Sequence, residues 1–149
     1  MDNNISNLLP GYSTLSILSI ERNNREAIAR GVSYLNRRFP DVFWPSRINL
    51  ETLNIYDCSK CVIGQLCGGE NKRFSFYNAV CISMENDDIK FDYPASWAAN
   101  YGFGLSTGTF ELLTYLWKEK IKELIQEENE KNAELGKTEA NNRESAAAV

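Results

Sequence analysis

Five apolar residues toward the carboxy-terminal end, Phe110, Leu113, Trp117, Ile121 and Leu124, follow one another at intervals of three, four, four and three. That recurrence places them on one stripe of an α-helix and on no single face of a strand. An amphipathic helix cannot bury its stripe alone, so another segment must supply a matching surface. Ile28, Val32, Leu35 and Phe39, spaced four, three and four apart, supply it. A helix is therefore expected over Glu21–Phe39, with Arg22, Arg25, Arg30 and Arg37 largely off the apolar stripe. Pro40 ends it, because proline lacks an amide hydrogen and disfavours a helical conformation at the preceding residue. Packing of these two stripes predicts a mainly α, compact single helical domain. At most one short strand pair is expected, near Thr14–Ile20, Ile48–Ile55 or Phe74–Ile82.

With 149 residues and 43% hydrophobic content the chain is long enough for one core. Residues 1–20 read as a lead-in with a turn at Pro10-Gly11 and with Thr14–Ile20 able to form one short strand or turn of helix, residues 21–128 as the helical domain, and residues 129–149 as a charged, disordered tail. The last helix takes its cap from Ser106 or Thr107. Beyond Ile125 the composition turns to Glu, Asn and Lys, which cannot bury enough apolar surface to offset the loss of chain entropy. Between the helices, Phe43, Trp44 and Pro45 form an aromatic loop over the core's edge. The mixed spacing of Ile48, Leu50, Leu53 and Ile55 reads as a compact turn or short strand. Phe74, Phe76, Tyr77, Val80 and Ile82 read as a further helical segment.

Charge and composition exclude several activities. Sixteen basic against twenty acidic residues give a net charge of -4, which disfavours nonspecific binding of nucleic acid. The chain has no histidine, so there is no Ser-His-Asp or Cys-His nucleophile system and no mixed Cys/His metal site. Met1–Ile20 carries no Lys or Arg and does not read as a signal peptide. No stretch approaches the roughly 18 apolar residues of a membrane span. A cytoplasmic location follows as the expectation, and there thiols stay reduced.

Three of the four cysteines fall within Asp57–Gly68. Asp57 is placed to cap a short helix over Cys58–Leu66, closed near Gly68-Gly69. Cys58 and Cys61 lie one turn apart, and with Cys67 and Cys81 they give Cys-x2-Cys-x5-Cys-x13-Cys, a possible ligand set for tetrahedral zinc. A structural zinc site normally has a second tight pair, and a redox dithiol normally sits in a βαβ context. Neither is present, so reduced thiols and no cofactor are the leading expectation, with zinc the alternative. Gly102, Gly104 and Gly108 read as turn formers and not as a phosphate-cradling loop. Glu85, Asp87, Asp88 and Asp92 lack the spacing of a calcium loop and read as a solvated turn. The Glu and Lys alternation from Lys118 to Lys131 reads first as an exposed helix face.

Of the aromatic residues, Trp97, Tyr101 and Phe103 lie on a glycine-flanked segment outside the helix stripes. They are the candidate anchors for a protein partner, since large rings on a loop bind with little loss of freedom.

The order of these elements resembles a family of small accessory proteins encoded by bacteriophages and prophages, chiefly of actinobacteria. The resemblance rests on Gly31-Val32 and Leu35, then Phe39-Pro40 with Trp44, then Arg47-Ile48-Asn49-Leu50-x-x-Leu53. It continues through Asp57-Cys58-x-x-Cys61-Val62-Ile63-Gly64-Gln65-Leu66, Tyr101-Gly102-Phe103 and Leu113-Thr114-x-x-Trp117, and covers roughly residues 28 to 122. Cys-x-x-Cys-Val-(Ile/Leu)-Gly-Gln-Leu is its most specific stretch. Cys67 and Cys81 stand outside the pattern, and the segment Gly69–Ala99 is longer here.

The resemblance carries no enzymatic activity. It implies a viral accessory protein made in a bacterial cytoplasm that acts by binding a host protein, such as a defence nuclease. The alternative is a small zinc-binding nucleic-acid or transcription-regulating module, which would need Arg22, Arg25, Arg37, Arg38 and Arg47 on one face. Nothing in the sequence sets the oligomeric state.

Overall fold

The computed structural model describes residues 3–67, 80, 84, 91 and 93–147. Among them are five α-helices and one 3-10 turn, and no strand. The helices are α1 (Asn3–Leu8), α2 (Thr14–Arg38), α3 (Val62–Cys67), α4 (Pro94–Asn100) and α5 (Phe110–Ala147), with the 3-10 turn at Trp44–Arg47. The fold is mainly α and compact, as the two apolar stripes require. None of these helices is long and apolar enough to cross a membrane. The segment Phe74–Ile82 (Val80 apart), the turn Glu85–Asp88, Asp92, the glycine pair at Gly68 and Cys81 lie outside the described residues.

Helix α2 is the central strut, packed on α4 and α5, while α1 rests on both α2 and α5. It begins at Thr14 and not at Glu21. Ser13 caps it, its hydroxyl oxygen accepting from the Ser16 amide at 3.2 Å. Its inner stripe runs Ile17, Ile20, Asn24, Ile28, Gly31 and Leu35, so the helical spacing continues upstream of Ile28 across a polar residue. Asn24 is tolerated there, at 2% exposure, because its Nδ2 donates to the carbonyls of Ile20 at 2.8 Å and Thr107 at 3.2 Å. The chain end expected as a lead-in contributes Ile5 and Leu9 to the core, and Pro10-Gly11 makes the turn between α1 and α2. Phe39 closes α2 by donating its amide to Leu35 at 2.8 Å, just before Pro40.

Helix α5 buries Leu113, Trp117 and Ile121 from the expected stripe, and also Leu112 and Leu116, while Phe110 and Leu124 are half-buried. Its cap is Thr109, just beyond the expected Ser106 and Thr107. The Thr109 hydroxyl accepts from the Leu112 amide at 3.2 Å and donates to the Leu8 carbonyl at 3.1 Å, tying α1 to the start of α5. Beyond Ile121 no residue of α5 is buried, and the helix continues to Ala147 as a largely exposed extension. Glu, Lys, Ala and Gln are intrinsic helix formers, and a helix already nucleated by the core extends at little cost.

Two glycines set how closely the helices meet. At Gly31 a Cβ would overlap the Tyr101 carbonyl oxygen and lie 3.1 Å from the Trp117 ring. Gly102, at φ 72°, lets the chain leave α4 with its backbone against Ile28 and its carbonyl accepting from Trp117 Nε1 at 2.6 Å. Helices α2, α4 and α5 meet at this point.

Candidate partner-binding site

Trp97, Tyr101 and Phe103 belong to the core and do not form an exposed anchor. They are 0%, 4% and 2% exposed. Pro94 starts α4 at its first turn, and Trp97 and Tyr101, four residues apart, therefore share one face of that helix. With Tyr34 of α2 and Trp117 of α5 they make a continuous ring cluster. Tyr34 meets Trp97 edge-on at 5.1 Å, Trp97 lies 4.9 Å from Tyr101, and Phe103 stacks on Trp117 at 5.7 Å. The expectation of an exposed loop fails because Gly102 turns the chain inward and buries the rings it flanks.

Trp44 is buried too, its Nε1 donating to Asn36 Oδ1 at 2.9 Å. Among the described aromatic residues, Tyr12, Phe43, Tyr56 and Tyr93 face outward, and of these Tyr56 borders a groove. A groove of about 850 Å³ runs between the segment 51–60 and one face of α5. On the helix side it is lined by Phe110, Glu111, Thr114, Tyr115 and Lys118, which recur every three or four residues along one face. On the other side stand Glu51, Thr52, Asn54, Tyr56 and Lys60. Tyr56 is 73% exposed and meets Phe110 edge-on at 5.2 Å, so two rings form the apolar floor and edge.

The loop wall is held by side chains that replace a regular ladder. Asn49 Oδ1 accepts from the amides of Glu51 at 3.0 Å and Thr52 at 3.3 Å, forming an Asx turn. Gln65 of α3 grips the same loop from behind: its Oε1 accepts from the Asn49 amide at 2.6 Å, and its Nε2 donates to the carbonyls of Asn49 at 3.3 Å and Lys60 at 2.8 Å. Asn54 Oδ1 accepts from the Tyr56 amide at 3.0 Å, and the Ile55 amide donates to Thr114 Oγ1 of α5 at 3.0 Å. Buried Leu53 and Ile55 pin the loop to the core, so Tyr56 projects from a fixed base. Among the described residues, Glu51, Lys60, Glu111 and Lys118 make no ion pair, and both charge signs line the groove.

The cysteines occupy a different part of the fold. Asp57 does not cap a helix at Cys58; its Oδ1 accepts from the Ser59 amide and hydroxyl at 2.9 and 2.7 Å, a local turn that holds the carboxyl below its usual range. Helix α3 starts at Val62, and the residue before it, Cys61, caps it with sulfur. Cys61 Sγ accepts from the Gly64 amide at 3.3 Å and donates to the Cys58 carbonyl at 3.5 Å. Burial pushes this thiol from 9.0 to about 12, against the weaker opposing pull of the amides around it. Gly64 is required here, since a Cβ would overlap the Cys58 carbonyl oxygen.

Cys58 and Cys67 are half-buried free thiols. Burial raises the Cys67 pKa, while Arg38 pulls the other way. Cys67 ends α3, about 9 Å along the helix axis from Cys61. No group of three or more potential metal ligands occurs among the described residues. A zinc ion on Cys58 and Cys61 would have to take the sulfur that now caps α3. The arginines expected to share a basic face are not all free: Arg25 bonds Glu21 at 2.9 Å and Glu119 at 3.3 Å, and Arg38 lies over the Phe39 ring.

Comparison with protein-family models, curated proteins and solved structures found no match to this chain.

Proposed function

We propose that the protein is a non-enzymatic accessory protein of the bacteriophage type, which acts by binding a host protein through the groove between residues 51–60 and the start of α5. A defence nuclease is the concrete form of host target that fits the phage resemblance. The observation that carries the mode of action is Tyr56: a large ring at 73% exposure, on a loop fixed by Gln65 and Thr114, beside a second ring and charges of both signs. Exposed aromatic side chains on rigid supports, flanked by charges of both signs, are what protein interfaces use for anchoring and orientation. The lining supplies rings, hydroxyls, amides and charges for recognition.

The test replaces Tyr56 with a photoreactive phenylalanine and irradiates the protein in host lysate. One host protein should be cross-linked, and Lys118→Glu should abolish that product while leaving the circular dichroism and melting of the domain unchanged. Cross-linking that is absent, or unaffected by Lys118→Glu, would remove the groove as the binding site.

A further inference from the structure

The outer face of α2 has an unusual order of side chains. Opposite the buried stripe, the exposed residues Leu15, Leu18, Arg22, Glu26, Ala29 and Ser33 recur at intervals of three and four over about 27 Å of helix. Leu15 and Leu18 are 81% and 47% exposed, although both sit on a regular helix where a polar residue would fit. Large apolar groups stand at one end of the stripe, small groups at the other, and an Arg and a Glu between them. Among the described residues, Arg22 and Glu26 make no ion pair, whereas neighbouring Arg25 is drawn aside by Glu21 and Glu119, and Arg30 by the Asn100 carbonyl at 2.7 Å. Between them lies a shallow depression of about 410 Å³ bounded by Leu18, Glu21, Arg22, Arg25, Glu26 and Ala29.

We infer that this face binds a second copy of the chain, as an antiparallel pair of α2 helices related by a two-fold axis at the level of Asn24. In that register Leu15 of one copy falls on Ser33 of the other, Leu18 lies beside Ala29, and Arg22 faces Glu26. The symmetry repeats each contact, so large groups meet small ones twice and both ion pairs form. The small residues let the two backbones approach closely enough for the leucines to be covered. A parallel pair would set Leu15 on Leu15 and Arg22 on Arg22, leaving a void at one end and like charges in the middle. The sequence of the stripe is thus self-complementary in one direction only. This face shares no residue with the groove lining, so the inference stands apart from the proposed host-binding site.

Sedimentation equilibrium on the full chain tests it. The wild-type protein should show a monomer–dimer equilibrium, and either Arg22→Glu or Glu26→Arg should weaken dimerisation by about tenfold or more, since each sets like charges against one another twice. The double variant R22E/E26R reverses both signs and should return the dimer to near its original strength. Thermal melts of each variant separate loss of association from the small helix-stability change of an i,i+4 pair. A wild-type chain that is still monomeric at about 1 mM overturns the proposal. So does a dimer indifferent to the single reversals, or a folded double variant that stays as weak as they are.

Discussion

Replacing Gly31 by alanine should destabilise the protein, although the same change in an open helix stabilises it. Alanine gains about 1 kcal/mol over glycine in a helix interior. At Gly31 the new methyl would overlap the Tyr101 carbonyl and crowd the Trp117 ring at 3.1 Å, and the nearer obstacle is backbone, which cannot rotate away. Forcing extra volume into a packed contact costs about 1–3 kcal/mol. Moving Tyr101 also shifts the adjacent Gly102 carbonyl, which accepts from buried Trp117 Nε1 at 2.6 Å, and a weakened hydrogen bond there costs a further ~1 kcal/mol. The losses exceed the gain, for a net destabilisation of about 1–3 kcal/mol, read as a lower urea midpoint at constant slope. Gly136→Ala is the matched control: nothing lies within 4 Å of its Cβ, on a stretch of α5 with no buried residue. It should raise the helical signal at 222 nm and leave the midpoint unchanged. A Gly31→Ala variant as stable as the wild type would refute the close crossing of α2 with α4 and α5.

Phe103→Ala should cost about 3–5 kcal/mol in urea denaturation, because it removes a ring that is 2% exposed and stacked on Trp117; a loss under about 1 kcal/mol would mean that the ring is a surface anchor after all. Thr109→Ala should cost about 0.5–2 kcal/mol and speed amide exchange in α1, whose last carbonyl loses its hydroxyl donor. Cys61 makes stability depend on pH at the alkaline end. Its folded pKa is raised from 9.0 to about 12, so its contribution is complete below the unfolded value and is lost as pH rises between the two. Cys61→Ser keeps a capping oxygen without that titration, and the wild type should therefore lose more stability than the variant over that window; parallel pH profiles would show that the thiol is not buried.

The two helix stripes were legible because burial repeats at the helical period, and Ile28, Val32, Leu35, Leu113, Trp117 and Ile121 lie where that period puts them. The upstream half of α2 was missed because Asn24 interrupts the stripe, and a buried amide satisfied by Thr107, far away in sequence, leaves no local mark. The core role of Trp97 and Tyr101 had a local sign, their spacing of four after a proline, but the flanking glycines suggested a loop. Glycine marks a tight turn without saying whether the turn faces water or core, and at Gly102 it faces the core. The groove could not be read in advance. Its two walls lie some sixty residues apart in sequence, joined by the Ile55 to Thr114 hydrogen bond, and neither wall has a motif of its own.

Several of the residues on which the resemblance to phage accessory proteins rests have structural duties here. Gly31 and Gly102 permit the helix crossing, Trp44 and Trp117 fill the core and donate to Asn36 Oδ1 and the Gly102 carbonyl, Gly64 clears the Cys58 carbonyl, and Asn49 and Gln65 bind each other. These are scaffold duties, and under the proposed function target choice would fall to groove residues such as Tyr56, Lys60, Phe110 and Lys118. Gln65 tests the link between the two, because it touches the groove only through the loop it holds. Gln65→Leu removes three hydrogen bonds at a partly exposed site, each worth about 0.5–1 kcal/mol there. Global stability should fall by no more than about 1.5–3 kcal/mol, while local opening of residues 49–60 becomes easier by a similar amount, roughly a ten- to hundredfold faster amide exchange in that segment. Host-protein capture through Tyr56 should weaken with it, since a mobile loop must be ordered again on binding. Exchange confined to its wild-type rate would show that Leu53, Ile55 and Thr114 hold the wall without Gln65, and that the most specific stretch of the motif serves α3 alone.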